Sequence, residues 1–292
     1  MEFEILAAES LGVRSLAVRV SGTVEGTLLI DPGAALGPRR SGFPPHPLEE
    51  EALGAAEQRI LKAAEQATRI IISHYHHDHF VPFESQRWIV SGPQTAQALY
   101  GGKTVYARDP DGPINTRQRG RAIRLGGDLA KLGVETLPND GRVAGDLRFS
   151  PPMRHGDRAS PGGWVVMAAL AAGGERLVHM SDTQLLNGEA LEWTLEQQPD
   201  SVVTAGPPLY LPQLTPAQRG RAERHLLLLV ERVPYVVLDH HLLRGGEPDR
   251  FLERARKRAR DKGHRLVSAA AHCGKNDDLL EARRRRLHAD SG

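Results

Sequence analysis

The stretch SHYHHDH at residues 73–79 holds four of the 13 histidines and follows directly on the apolar run Ile70-Ile71-Ile72. Because that run is short and β-branched and ends at a polar residue, it predicts a buried strand over residues 69–73. The histidines then lie where the chain leaves the strand. Imidazole is the commonest metal ligand in proteins. The stretch therefore predicts a metal site at the end of this strand.

Four side chains of this stretch have the spacing of metal ligands. Alternate residues of an extended segment point the same way, so we expect His74 and His76 to bind one ion together. Asp78 and His79 are offset from them and are expected to bind a neighbouring ion. Two such ions can share a hydroxide, lower its pKa and hold it in line with a polarised substrate. The alternative, a solvated histidine-rich loop, is disfavoured by the apolar strand before it and by Asp78.

This spacing resembles the His-x-His-x-Asp-His motif of the metallo-β-lactamase superfamily. The resemblance implies an α/β fold in four layers, an αββα sandwich, and a hydrolase with two divalent metal ions. Zinc is the expected metal, and imidazole and carboxylate ligands also accept iron or manganese. The chain is more closely similar to an uncharacterised, largely archaeal and bacterial branch of that superfamily, through Asp31-Pro32-Gly33, Gly206-Pro207-Pro208 and Asp239-His240-His241. That branch implies no particular substrate.

The resemblance also implies the other site residues. His155 matches the third ligand of the first ion, Asp182 the carboxylate that bridges both ions, and Asp31 a residue that supports the metal loop. Taken alone, His155 also fits a surface turn and Asp182 a helix cap. His240 matches the last ligand of the second ion. His241 is the neighbouring alternative, and otherwise a hydrogen-bonding partner or the proton donor for the leaving group.

The rest of the chain predicts mainly strands in its first half and alternating strands and helices in its second. A helix at 115–132 is expected to break near Gly126-Gly127, because glycine disfavours helix. Two sheets with helices on their outer faces would use this order, and we expect one domain over residues 1–292. Further strands are predicted at 3–7, 15–20, 27–31, 104–107, 147–150, 164–169, 177–180, 201–204, 235–238 and 265–269, and helices at 48–67, 94–100, 189–197, 216–232, 249–262 and 279–288.

Composition excludes several classes of protein. The 292 residues are 40% hydrophobic and 25% charged, which is typical of a globular protein and not of a disordered or disulfide-rich one. The sequence contains no run of eighteen apolar residues, so no membrane span is predicted. The single cysteine, Cys273, cannot form a disulfide within the chain, and the first residues do not resemble a signal peptide. We therefore expect a cytoplasmic location and no membrane partner.

Basic residues indicate an anionic substrate. Arg39 and Arg40 lie in the proline-rich loop 38–47, where superfamily members carry a loop over the metals. Guanidinium pairs with phosphate or carboxylate, so both arginines are predicted to bind substrate, although a stiff surface loop fits equally well. A phosphoester or phosphodiester is thus the expected substrate, with Asp78 and His241 as catalytic residues. A lactonase or other small-molecule ester hydrolase is the alternative.

The C-terminal region is the most basic part of the chain. Residues 249–292 contain 13 Lys and Arg against 7 Asp and Glu, including four consecutive arginines at 283–286. Such a tail is a candidate nucleic-acid contact, since phosphate neutralisation supplies much of that affinity. We favour a solvated terminal helix, because a charge run alone is weak support. A non-catalytic protein that binds metal or nucleic acid is the alternative of another class.

Overall fold

The computed structural model describes residues 1–157, 162–246 and 249–290, with the backbone alone for Asp249. Within these ranges the strands β1 to β15 span Glu2–Ala8, Leu16–Ser21, Thr27–Ile30, Ala67–Ile72, Thr104–Ala107, Thr136–Pro138, Val143–Ala144, Leu147–Phe149, Met153–Arg154, Trp164–Val165, Ala168–Ala172, Glu175–His179, Ser201–Thr204, Tyr235–Leu238 and Arg265–Val267. The helices α1 to α8 span Pro47–Ala64, Pro93–Tyr100, Thr116–Lys131, Gly188–Glu196, Pro216–Arg232, Asp249–Asp261, Ala269–His272 and Leu280–Asp290, and a 3-10 helix spans Leu243–Gly245.

The strands form two large mixed sheets and one short hairpin. The first sheet has the order β1-β2-β3-β4-β5-β6, and the second has the order β15-β14-β13-β12-β11-β8-β7. Strands β3 to β6 are parallel in the first sheet, and β12 to β15 are parallel in the second. β9 and β10 pair separately. Because parallel strands end at the same edge of a sheet, the segments after β3 and β4 are neighbours, and those after β12 and β14 lie on either side of the end of β13.

Apolar side chains divide the core into three layers. The central layer lies between the sheets, with Ile30 and Ile71 from the first sheet and Val203 and Val237 from the second. Neighbouring residues in the strands face outward, as the two-residue period of a strand requires, and pack under α1, α2 and α3 on one side. Helices α4, α5 and α6 cover the second sheet. The resulting order of helix, sheet, sheet and helix confirms the predicted four-layer αββα sandwich.

The continuity of helix α3 contradicts one prediction. The helix is continuous over Thr116–Lys131, so the expected break near Gly126-Gly127 is wrong. The side chain of Asn115 caps its first turn, and Leu125 and Leu129 are buried against the first sheet. The two glycines disfavour the helix by about 1 kcal/mol each, and burial of the apolar face outweighs that cost.

Several predicted element bounds also differ from the structure. The predicted strand at 164–169 is two strands, β10 and β11, which pair with different partners. Two other ends have a clear cause. Helix α1 ends at Ala64, not 67, because Ala67 already pairs with Thr27 in the first sheet. Strand β15 ends at Val267, and the side chain of Ser268 caps the short helix α7 that follows. Both differences arise from pairing and capping that a local pattern does not contain.

The C-terminal helix α8 is not the solvated helix that the charge run predicts. Arg284 is fully buried, and its guanidinium donates to both carboxylate oxygens of Glu49 at 2.7 and 2.8 Å and to the carbonyl of Gly37 at 2.7 Å. Glu281 pairs with Arg14, whose Nε lies 2.6 Å from Oε2. The other three arginines at 283, 285 and 286 are exposed. The helix is therefore anchored by buried ion pairs.

No helix in the described ranges combines the length and the apolar composition needed to cross a bilayer.

Gly127→Ala should raise the free energy of unfolding by about 0.5–1 kcal/mol, because alanine suits a helix interior better than glycine. A Cβ built at Gly127 meets no atom within 4 Å. Chemical denaturation measures the change. Gly33→Ala is the opposite case, since its Cβ would lie 2.3 Å from the backbone nitrogen of Phe80. That variant should be destabilised, and equal effects of the two substitutions would contradict this account.

Candidate metal centre

The predicted ligands meet at the ends of strands from both sheets. The histidine-rich stretch follows β4, and Asp31 follows β3. His155 comes from the β9 hairpin, Asp182 follows β12, and His240 follows β14. His74 and His240, which lie 166 positions apart in the chain, therefore belong to one cluster.

Asp182 is the centre of this cluster, and its side chain is 1% exposed. Its two oxygens face five imidazoles, as expected for a carboxylate placed between two cations. The distances from Oδ2 to Nε2 are 2.9 Å for His241, 3.0 Å for His155, 3.3 Å for His79 and 3.6 Å for His74, and Oδ1 lies 3.6 Å from Nε2 of His240.

One group of donor atoms matches the predicted first ion. His74, His76, His155 and Asp182 each offer an atom within 4.8 Å of all the others. Nε2 of His74 lies 2.9 Å from Nδ1 of His76, so these two rings present different nitrogens to the same point. Three imidazoles and a carboxylate suit zinc.

A second group matches the predicted second ion. Asp78, His79 and His240 lie within the same limit, and Oδ2 of Asp78 is 3.4 Å from Nε2 of His240. His241 groups instead with Asp182 and His240. Of the two neighbouring histidines, His240 thus faces the Asp78 side of the site and His241 faces the Asp182 oxygen shared with the first group.

Unpaired buried atoms show that these residues fit a cation. In the described part of the chain, Oδ1 of Asp182, Nε2 of His79 and Nδ1 of His241 have no hydrogen-bond partner. Leaving a buried polar atom unpaired costs about 1–3 kcal/mol. A divalent ion between the Asp182 oxygen and the His79 nitrogen would satisfy both atoms.

Asp31, predicted to support the metal loop, holds the start and the end of the histidine-rich stretch. Its carboxylate accepts hydrogen bonds from the backbone nitrogen of Ser73 at 2.8 Å, from both the Ser73 and the Ser181 hydroxyl at 2.6 and 2.9 Å, and from Nδ1 of His79 at 2.9 Å. Asp31, Ser181 and His240 all have positive φ, near 50°. Such backbone is uncommon for residues other than glycine and occurs often at functional sites.

Sequence reasoning missed the residues behind the ligand rings. The Ser73 hydroxyl lies 2.9 Å from Nδ1 of His74, and the Gln184 amide lies 3.3 Å from Nδ1 of His155. Oε2 of Glu9 lies 3.7 Å from Nδ1 of His240. A partner on the second ring nitrogen fixes the tautomer and the orientation of a ligand histidine. Ser73 adjoins the motif and was within reach of sequence reasoning, whereas no local signal marks Glu9.

The two arginines predicted to bind substrate differ in exposure. Arg39 is exposed, and Arg40 is half-buried with its guanidinium 4.8 Å above the Tyr210 ring and donating to the carbonyl of Arg244 at 3.0 Å. The substrate-binding role of both arginines stays a prediction. His179 lies in the core, where its Nε2 is 3.0 Å from the carbonyl of Leu16.

No protein-family model matches the chain. The UPF0282 protein of Thermococcus sibiricus is 39% identical over 289 residues, which cover 97% of this chain and 92% of that protein. The UPF0282 protein of Methanopyrus kandleri is 37% identical over 293 residues, which cover 98% of both chains. The chain belongs to the UPF0282 family. These archaeal relatives confirm the resemblance to an archaeal branch.

The UPF0282 chain is also similar to solved structures. A metal-dependent hydrolase of the β-lactamase superfamily is 12% identical with a TM-score of 0.49, covering 91% of this chain and 94% of that one. AidC, a dizinc quorum-quenching lactonase, is 13% identical with a TM-score of 0.37, covering 78% and 72%. CmlA, a diiron β-hydroxylase from Streptomyces venezuelae, is 12% identical with a TM-score of 0.46, covering 91% of this chain and 52% of that one. The UPF0282 chain thus spans about half of CmlA.

Burial and neighbouring charges together set the protonation of the cluster. It lowers the pKa of His74 and of His241 to about 4 and that of His240 to about 3. Burial alone would raise the pKa of Asp182, yet the charge of His79 and neighbouring imidazoles holds it well below its usual range. Burial likewise opposes protonation of His79, but Asp182 and Asp31 raise its pKa well above the usual value. His74, His240 and His241 are therefore neutral beside ionised carboxylates, the state that binds metal, whereas His79 must release a proton when an ion binds.

The stability of the metal-free chain should depend on His241 below pH 6.5. The pKa of His241 is about 4 in the folded state and about 6.5 in an unfolded chain. Between these values the unfolded state binds more protons, so stability is full above pH 6.5 and is lost as the pH falls.

Chemical denaturation of chelator-treated protein between pH 6.5 and 5 measures this loss. Wild type should lose up to about 1.4 kcal/mol per pH unit more than His241→Asn, which cannot titrate there. Identical pH profiles for the two proteins would show that His241 is not held neutral by burial.

Proposed function

We propose that this UPF0282 chain is a metal-dependent hydrolase with two divalent ions, zinc being the expected metal. The observation that carries the proposal is the position of Asp182, whose Oδ2 lies within 3.6 Å of Nε2 of four histidines. Asp182 would contact both ions. The first ion would be held by His74, His76 and His155, and the second by Asp78, His79 and His240.

The donor atoms support metal chemistry of the hydrolytic kind. Bound divalent ions supply two things, a water nucleophile of lowered pKa and polarisation of the bond under attack. The protein's part is to hold neutral imidazoles and ionised carboxylates around them, and the buried Asp31 keeps His79 in place for that purpose. The side chains of His76 and Asp78 are only partly buried, so the cluster opens to solvent on their side.

Two side chains are proposed to act directly in the reaction. Asp78 borders the open side and can orient the attacking water through the carboxylate oxygen that His240 leaves free. His241 holds Oδ2 of Asp182 with Nε2 at 2.9 Å, and its Nδ1 has no partner among the described residues. The neutral ring carries its proton on Nε2, beside the Asp182 carboxylate. His241 is therefore proposed to take up a second proton on Nδ1 before it passes one to the leaving group.

An anionic ester, preferably a phosphoester or phosphodiester, is the proposed substrate class. The support is cationic charge on the Asp78 side of the cluster. The Arg244 guanidinium lies 3.6 Å from Oδ2 of Asp78, and Arg40 is linked to the Arg244 backbone. Exposed Arg39 adjoins Arg40. Guanidinium groups open to solvent pair with phosphate oxygens, so Arg39 and Arg40 are the proposed substrate contacts. Arg244 is buried and paired with Glu9, and adds positive charge behind them without contacting the substrate.

His76→Ala should lose bound metal and lower hydrolysis of bis-p-nitrophenyl phosphate more than about 100-fold, because it removes a ligand of the first ion. Metal per chain is measured by elemental analysis, and hydrolysis by nitrophenol release, with a lactone panel alongside. His77→Ala is the matched control. His77 packs against Phe80 and belongs to neither ligand group, so this variant should keep metal and activity.

Full metal and unchanged activity in His76→Ala would refute the proposed site. Hydrolysis of lactones but not of the phosphodiester would refute the phosphoester preference alone. A wild-type protein that holds two ions and hydrolyses neither substrate would instead favour a non-catalytic metal-binding protein.

A further inference from the structure

A buried ion pair lies beside His240. Nε of Arg244 is 3.2 Å from Oε2 of Glu9, and both side chains are buried, with 3% of Glu9 and 6% of Arg244 exposed. Glu9 lies 235 positions from Arg244 in the chain. The pair therefore joins the turn after β1 to the 3-10 helix after β14.

This pair contacts the ligands of the second ion. Nη2 of Arg244 lies 3.2 Å from each ring nitrogen of His240 and 3.6 Å from Oδ2 of Asp78. Oε2 of Glu9 lies on the Nδ1 side of the His240 ring, at 3.7 Å. No ion pair or hydrogen bond of the described residues joins either side chain to His74, His76 or His155.

The charges have opposite effects on an ion at this position. A buried guanidinium beside two ligands would repel a divalent cation strongly, since the surrounding protein screens little. The carboxylate of Glu9 offsets that charge. It also lies where an outer carboxylate orients a ligand histidine, with the other ring nitrogen facing the metal.

The turn that carries Glu9 is held in place by the same end of the second sheet. The backbone nitrogen of Ser10 donates to Oδ1 of Asp239 at 3.0 Å, and the backbone nitrogen of His240 donates to the same oxygen at 2.7 Å. The backbone of Ser10, next to Glu9, and the backbone of His240 thus donate to the same buried carboxylate. These bonds fix the backbone next to Glu9 relative to the backbone of His240, and so hold the Glu9 carboxylate beside the His240 ring.

We propose that the Glu9–Arg244 pair sets the affinity of the second metal ion, with Glu9 as a positioning residue that orients His240 and balances the charge of Arg244. This inference rests on the two-ion site proposed above. It predicts that the two ions respond differently to a change at Glu9, whereas a residue that only supports the fold would affect both alike.

Glu9→Gln tests the proposal, because glutamine keeps the shape and removes the charge. The zinc-loaded protein is dialysed against increasing chelator, and zinc per chain is measured at each step. The second zinc should be lost at a free zinc concentration about 10–100-fold higher than in wild type, with release of the first zinc unchanged. Glu9→Asp keeps the charge and should lie closer to wild type than Glu9→Gln does.

Glu49→Gln is the matched control. Glu49 is a fully buried carboxylate that pairs with Arg284 at 2.7 and 2.8 Å, and it contacts none of the proposed ligands. This variant should melt at a lower temperature and release both zinc ions as wild type does. Melting of each metal-free variant shows whether it is folded.

Three results would overturn the proposal. Release of both zinc ions from folded Glu9→Gln as from wild type would do so while leaving the two-ion site intact. Parallel weakening of both ions would show a general structural role for Glu9. A wild-type chain that never holds more than one zinc would refute the two-ion site itself, and this inference with it.

Discussion

The structure depends on one buried carboxylate, that of Asp182, surrounded by imidazoles from both sheets. Removing a carboxylate from water is costly unless cations or hydrogen-bond donors surround it. The chain supplies donors from segments after β4, β9 and β14, so the ends of the sheets must meet at this point. The hydroxyls of Ser73 and Ser181, 2.7 Å apart and both bonded to Asp31, complete the junction. Fold and site thus share the same contacts.

Strain and charge concentrate around that junction. Positive φ at Asp31, Ser181 and His240 turns each chain sharply at its strand end, and the surrounding hydrogen bonds hold these turns. Behind the ligand rings lies a further layer of polar side chains, and beyond it the buried pairs that anchor helix α8. These contacts limit the rotation of the ligand rings, so a site that lies largely on turns keeps a fixed geometry.

Sequence reasoning succeeded where the signal was local or periodic. The apolar run before the histidines, the helix at Pro216–Arg232 and the strand at Tyr235–Leu238 follow directly from such patterns. It failed where a distant contact decided the outcome. Helix α3 continues across two glycines because its apolar face is buried. Arg284 is buried because it forms an ion pair with Glu49 inside the protein. The sheet that covers the apolar face of α3 and the Glu49 side chain are both distant in the sequence and give no local signal.

The sequence by itself predicted a metal site, because the offsets among His74, His76, Asp78 and His79 are those of metal ligands. It also determined the two-sheet architecture through the order of strands and helices. Only the tertiary structure decided how the donors are shared. It brought His240 into contact with Asp78 and His241 into contact with Asp182. It also placed Glu9 and Arg244 beside the His240 ring. The reason is physical: a buried charge is stabilised by whatever lies within a few ångströms, and that proximity arises only when distant strands come together.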